Sequence, residues 1–200
     1  MFMESIEGFI LIGGASSRMG TPKFRLELEG ETFVQLIARE LGKVTTTVSL
    51  VSGVEQPDLG LPLVSDVHQQ WGALGGVHGA LAACRAEWAL VVACDLPLVK
   101  ASLFDRLLSL REDFDAVAPR QFDGRQQPLC AAYRVAVCRL QAEALIESGE
   151  RKPIALLQSV STRWVETPEY ADLPGARNFF DNINTPHDYL RINQKANRGE

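Results

Sequence analysis

Residues 8–23 read GFILIGGASSRMGTPK, an apolar run that breaks into glycines and serines and then delivers Arg18, Gly20 and Lys23 within a few positions. The segment 8–12 is short, continuous and apolar, the signature of a strand buried on both faces of a parallel sheet. TVSLV at 47–51 and WALVVAC at 88–94 share that character. Helical spacing fills the intervals. TFVQLIARELGKV sets Phe33, Leu36, Ile37, Glu40 and Leu41 on one periodic face, with Gly42 near the stop. GGVHGALAACRAE, 75–87, is rich in small residues but helical in period. KASLFDRLLSLRED opens with Ser102 as the expected N-cap and Asp105 three residues on, a capping-box arrangement. AVCRLQAEALIESG is a further helix ending at Gly149. FDAVAP and CAAYRV read as additional strands, and STRWVET as an edge strand. In NTPHDYLRIN, Thr185 is the expected N-cap, Pro186 the first helical residue and Asp188 the third. Strands alternating with helices predict an α/β domain with a mostly parallel sheet. Such sheets bind ligands beyond the carboxyl ends of their strands.

The 200 residues suit one domain, expected over 1–192 with a frayed tail at 193–200. Apolar residues make up 46% of the chain, enough for a sizeable core. The net charge is −5 and the 20 basic residues are scattered, which argues against a nucleic-acid surface. Cysteines at 84, 94, 130 and 138 form no C-x-x-C pair, and the three histidines complete no zinc spacing. Free or buried thiols in a reducing cytosol are expected. The first residues lack the charged and apolar regions of a signal peptide, and no run approaches a membrane span. A cytoplasmic protein is the expectation.

The loop after the first strand falls on the binding edge. Gly13 and Gly14 permit close approach of the backbone to a ligand. Small residues at 15–17 leave amides and hydroxyls for phosphate oxygens. Arg18 and Lys23 supply countercharge, one as a planar fork and one as a point charge. A polyphosphate is the ligand this chemistry suits; a plain glycine loop with solvated cations is the alternative. The spacing fits neither G-x-x-x-x-G-K-[ST] nor G-x-G-x-x-G.

VVACDLPL ends a buried strand on Asp95. Buried charge is costly without a partner, so packing explains it poorly. A carboxylate there can hold Mg²⁺, which commonly takes one or two carboxylates together with phosphate oxygens. A turn-forming or capping aspartate is the other reading. Asp66 also follows a short apolar run, and serves equally as a second acid facing a nucleotide or as a loop residue. GALGG, 72–76, is a second place for close backbone approach, or a glycine-rich start to a helix.

With these residues in order, the chain resembles the molybdenum cofactor guanylyltransferases, within the nucleotidyltransferase fold group. The resemblance runs from Phe9 to about Leu190. It rests on LIGGASSRMGTPK, Asp66 followed by GALGG, CDLP, PLCAAYR and NINTP. It implies a doubly wound, Rossmann-like α/β sheet with helices on both faces. It implies transfer of GMP from GTP to the terminal phosphate of molybdopterin, with Mg²⁺, releasing pyrophosphate. Carried over by motif, Leu11, Gly13 and Gly14 would line guanine and ribose. Arg18 and Lys23 would hold the triphosphate, Asp66 would contact the nucleotide and Asp95 would bind Mg²⁺. Asn182 and Asn184 would face the pterin, with an Asx turn and helix cap as the other reading of NINTP, and Arg151 and Lys152 of GERK would join them or serve as favourable cations at a helix C-terminus. Other cofactor-biosynthesis proteins and recipient molybdoenzymes are the partners the resemblance implies.

The chain departs from the family pattern at Ile12, where Ala is common, and at Ser52, where Asn is common; the latter bears on the base or ribose contact. GALGG stands for the more usual Gly-Pro-Leu-Ala-Gly. Cytidylyl relatives tend to carry Ala-Ala-Gly after the first strand; IGG removes one Cβ and favours the larger guanine. Alternatives are a cytidylyl- or sugar-phosphate nucleotidyltransferase of the same fold, or a GTP-binding module without catalysis. Lys23 and Asp95 argue for an enzyme.

Overall fold

The structure is a computed structural model that describes residues 5–12, 22–53, 59–68, 71–183, 185, 188–190 and 192. The elements in chain order are β1 (Ile6–Leu11), a 3₁₀ turn Lys23–Arg25, β2 (Glu27–Leu28), β3 (Glu31–Thr32), α1 (Phe33–Leu41), β4 (Thr47–Ser52), β5 (Leu63–Ser65), α2 (Gly72–Ala83), β6 (Trp88–Ala93), α3 (Ala101–Ser109), β7 (Ala116–Pro119), β8 (Cys130–Arg134), α4 (Val135–Glu147), α5 (Pro153–Ser159) and β9 (Thr162–Val165). Further 3₁₀ turns follow at Thr167–Glu169 and Ala176–Asn178.

A seven-stranded sheet runs β5-β4-β1-β6-β8-β7-β9. β5, β4, β1 and β6 are mutually parallel. β8 runs antiparallel to both β6 and β7, and β9 lies parallel to β7 at the edge. The sheet is therefore mostly parallel, as its alternating elements lead one to expect, and doubly wound, as the family resemblance implies. STRWVET is indeed an edge strand, paired with β7, and the three apolar runs form β4, β1 and β6, which lie side by side inside the sheet.

Strict alternation along the strands feeds two cores. Ile10, Ile12, Trp88, Leu90 and Val92 point to the face covered by α1 and α3. Phe9, Leu11, Ala89 and Val91 point to the face covered by α2, α4 and α5. Burying both sets requires every residue of β6 to be inaccessible, and each one is. This double burial explains why the strands read as continuous apolar runs.

α1 is capped as a capping box: the Thr32 hydroxyl accepts from the Gln35 amide at 3.2 Å, and the Gln35 side chain accepts from the Thr32 amide at 2.8 Å. Thr185 and Asp188 make the same exchange, as their spacing predicts, at 3.1 and 2.9 Å. Pro186 lies outside the described residues, as does the expected tail.

Two local expectations are corrected. α3 does not use Ser102 as its N-cap: the cap position is Lys100 and its side chain makes no capping bond. The Ala101 amide instead donates to Glu40 Oε2 at 3.0 Å, while Lys43 Nζ donates to Glu40 Oε1 at 2.8 Å. Glu40 is thus a buried carboxylate on α1 that caps a different helix. Burial pushes its carboxyl up, but the Lys43 bond, the Ala101 amide and the nearby charges of Lys43 and Lys100 outweigh it and hold the pKa below the ordinary value. A carboxyl depressed in the fold contributes stability above its unfolded pKa and loses it as the pH falls through the folded one. Glu40→Ala is expected to cost about 1–2 kcal/mol at neutral pH, in the range of a lost cap. Denaturant titration checks this, and the deficit should shrink below about pH 4.

The second correction concerns α2, which begins at Gly72 rather than Gly75 and ends at Ala83, so GALGG is its first turn. No helix among the described residues is long and apolar enough to cross a membrane.

Candidate nucleotide-binding site

β1 occupies the switch point of the sheet: the chain leaves it to build outward through β4 and β5, then returns to place β6 on its other side. Ligand sites of open α/β sheets lie at this reversal. The strand ends are held in register just past their last ladder pairs. The Ile12 amide donates to Val51 O, the Cys94 amide to Leu11 O and the Asp66 amide to Ser52 O, each at 3.0 Å. The carboxyl ends of β1, β4, β5 and β6 thus present Leu11, Ser52, Asp66 and Asp95 along one rim.

Lys23 reaches this rim because its neighbour is anchored. Phe24 is buried in the core with Ile12, Cys94 and Leu96, fixing the 3₁₀ turn Lys23–Arg25 beside β6. Lys23 Nζ then lies 3.4 Å from Asp95 Oδ2, with the side chains 19% and 23% exposed. A ligand can reach both, yet each charge is partly withdrawn from water. Gly13, Gly14 and Arg18 fall outside the described residues.

The NINTP segment arrives at the same place. The Ile183 amide donates to the backbone carbonyl of Asp95 at 3.2 Å, and Ile183 is buried with Leu28, Phe33, Leu36 and Ile192. Asn182 beside it has a buried Oδ1 without a hydrogen-bond partner among the described residues. An orphaned acceptor at a ligand edge suits a group that a substrate satisfies. Asn184 lies outside the described residues. PLCAAYR also lies here: the Ala93 amide donates to Leu129 O at 2.9 Å, so Pro128 and Leu129 flank the residue before Cys94.

Asp66 sits at the other end of the rim and is buried. Its Oδ1 accepts from the His68 amide at 2.8 Å, the geometry of an Asx turn. α2 presses against it. A Cβ on Gly75 would stand 2.7 Å from His68 O and 3.2 Å from Asp66 Oδ2, and one on Gly76 would lie 3.5 Å from Leu11 Cδ1. Glycine at 75 therefore allows the helix to close on the turn. Ser52 is buried against this region, and Ile12 is a core residue on the α1 face rather than part of the rim. That placement accounts for a larger side chain at position 12.

Residues that sequence reasoning passed over also gather near Asp66. His68 and His78 lie with ring centroids 4.9 Å apart. His78 is buried and its Nδ1 lacks a partner among the described residues. Burial lowers its pKa; His68 and Arg139 lower it further, against Glu143 and Asp66, so the ring is held neutral. Only a ten-residue separation links these histidines in the sequence, a spacing without meaning until the 66–68 turn folds back on α2.

Arg151 and Lys152 lie in the link between α4 and α5. Gly149, at φ +94°, ends the helix, and Glu150 Oε1 accepts from the amides of Arg151 and Lys152 at 2.8 and 2.9 Å. Arg151 lies over the Trp71 ring, at the start of α2, with its guanidinium carbon 4.9 Å from the ring centroid. The acceptor residues expected from the sequence thus divide: Asn182 precedes Ile183, whose amide binds the Asp95 carbonyl, and Arg151 lies over Trp71 at the α2 end.

All four cysteines are free. Burial pushes the Cys84, Cys94 and Cys138 thiols up to about 12 and Cys130 higher still, so none is a thiolate at neutral pH. Among the described residues no group of three or more His, Cys, Asp or Glu could hold a metal ion. The donor set at Asp95 fits a hard cation only in company with oxygens from a substrate, which is how Mg²⁺ is commonly held beside phosphates.

Comparison with known proteins bears on the fold and the family. Residues 8–163 match the MobA-like NTP transferase domain. A probable molybdenum cofactor guanylyltransferase of Pelotomaculum thermopropionicum is 33% identical over 97% of this chain and 95% of its own length. One of Clostridium perfringens is 31% identical over 93% and 95%. In shape the chain is similar to the crystal structure of molybdopterin-guanine dinucleotide biosynthesis protein A from Archaeoglobus fulgidus, with a TM-score of 0.82, 22% identity and coverage of 96% and 99%.

Proposed function

The chain belongs to the MobA-like NTP transferase family, and from that premise we propose that it transfers GMP from GTP to the terminal phosphate of molybdopterin, releasing pyrophosphate. The observation that carries the reading is the Lys23–Asp95 pair, 3.4 Å apart at the carboxyl end of β6, in a chain akin to proteins described as guanylyltransferases.

The acceptor is its own nucleophile. A phosphate monoester has a second pKa of about 6 and is largely dianionic at neutral pH, so no general base is required. One of its oxygens forms a bond to the α-phosphorus of GTP while the bond from that phosphorus to the bridging oxygen breaks, and pyrophosphate departs with the electron pair. The barrier lies in bringing two anions together, so positioning and countercharge supply the catalysis. Lys23 neutralises phosphate charge from the β6 side, with Arg18 as its proposed partner in the loop. Asp95 is the proposed ligand of Mg²⁺, which when bound would offset charge on the phosphate oxygens. Leu11, Gly13, Gly14, Ser52 and Asp66 are assigned to the nucleoside, and Asn182, Asn184, Arg151 and Lys152 to the acceptor. The buried, protonated thiols take no part.

Pyrophosphate release from the purified protein with Mg²⁺, molybdopterin and either GTP or CTP tests the reading. Release with GTP well above that with CTP is expected. A preference for CTP overturns the choice of base, and GTP binding without release from either nucleotide overturns the enzyme.

A further inference from the structure

We infer that Trp71 is a positioning residue: its indole face holds the Arg151 guanidinium where that residue takes the phosphate monoester of the acceptor. The inference rests on the reading that Arg151 serves the acceptor, and adds the support that reading lacks. Among the described residues three arginines lie over indole rings. Arg134, over Trp88, also pairs with Glu87 at 3.3 Å, and Arg120, over Trp164, with Glu166 at 3.2 Å. Those two guanidinium groups are already bound to carboxylates. The Arg151 guanidinium lies closest to its ring, at 4.9 Å, and forms no ion pair with a carboxylate among the described residues. A guanidinium attracted to a ring and not to a carboxylate keeps N–H groups for a bidentate anion.

The support beneath it is fixed. The Trp71 amide donates to His68 O at 2.9 Å, and the Trp71 carbonyl accepts from the Gly75 amide at 3.4 Å. Trp71 packs against the core that includes Leu74 and Val77. Trp71 Cβ and Asp66 Oδ2 both lie 3.2 Å from the point a Gly75 Cβ would occupy, so the indole, the Asx turn and the first turn of α2 form one unit. On the other side, the backbone of Arg151 is held by Glu150. A long side chain is thus anchored at its base and held over the indole at its head. Ordering it before the acceptor arrives lowers the cost of binding.

The test uses pyrophosphate release by the full-length protein, with saturation curves for acceptor and for GTP. Attraction of this kind is worth about two- to fivefold in affinity at an exposed site. Trp71→Leu, which keeps the apolar bulk without the ring, should raise the acceptor KM about two- to fivefold and leave the GTP KM and kcat within about twofold. Trp71→Phe should restore most of the loss. In an Arg151→Ala background, Trp71→Leu should add almost nothing, because the two residues act as one. An unchanged acceptor KM in Trp71→Leu, an equal rise in the GTP KM, or a full additional loss on top of Arg151→Ala overturns the inference while leaving the reaction intact. If the unaltered protein releases no pyrophosphate with GTP and molybdopterin, the proposed reaction itself fails and the inference falls with it.

Discussion

Asp95→Ala and Lys23→Ala each lower pyrophosphate release at saturating GTP and Mg²⁺ by at least about tenfold, equivalent to about 1.4 kcal/mol of barrier. Asp95 follows a strand buried along its whole length, and Lys23 is brought to it by the burial of Phe24. The two charges lie 3.4 Å apart on a partly enclosed rim, where countercharge acts more strongly than in bulk water. A reaction between two anions depends on that countercharge throughout, so the loss should appear in kcat and not only in KM. Each variant removes one member of a partly buried pair, so thermal unfolding is measured alongside. A folded variant with near-normal turnover would remove that residue from the mechanism.

Gly75→Ala should destabilise the protein by about 1–3 kcal/mol, the usual cost of forcing atoms into a filled space. The added methyl would stand 2.7 Å from the His68 carbonyl, a backbone atom that cannot swing aside. Either α2 moves outward or the 66–68 turn does, and Asp66 shifts with it. Weaker GTP binding should accompany the stability loss. Gly76→Ala is the control. Its methyl would lie 3.5 Å from Leu11 Cδ1, an ordinary contact, and alanine favours a helix interior over glycine by about 0.5–1 kcal/mol. Denaturant midpoints should therefore move in opposite directions, or fall for Gly75→Ala alone. Equal losses would show that the tight approach is not specific to position 75.

The sheet was legible because its strands are buried on two faces. Runs such as WALVVAC leave few other interpretations, and the order of strand, loop and helix placed Asp95 and Asp66 at carboxyl ends. Direction was not legible: CAAYR is as apolar running antiparallel, as β8 does, as it would be running parallel. The β2–β3 hairpin escaped because its paired segments are so short, although Glu29 and Gly30 both take positive φ, as the turn between them requires. α5 was missed between the GERK link and the last strand, where Pro153 begins a helix of only seven residues. The start of α2 is ambiguous in the sequence because the glycines at 72, 75 and 76 carry little helical propensity, and the structure selects the glycine-rich helix start.

Long-range capping lies beyond local patterns altogether. Ser102 looked like a cap by spacing, yet the carboxylate that serves Ala101 comes from Glu40 on another helix. The same limit hid the rim's outer parts. Trp71 and Arg151 are far apart in the chain, and nothing in either neighbourhood announces that a guanidinium will lie over an indole. The link from Ile183 to Asp95 likewise exists only after the C-terminal segment folds back beside β6. Motif order indicated which segments matter, and the fold shows which of them touch.

A crystal structure of the protein with GTP and Mg²⁺ tests the central claim most directly. The account predicts the triphosphate against Lys23, with an Asp95 carboxylate oxygen at the metal and the base toward Leu11 and Asp66. A nucleotide seated elsewhere, or Lys23 and Asp95 turned away from the phosphates, would contradict it.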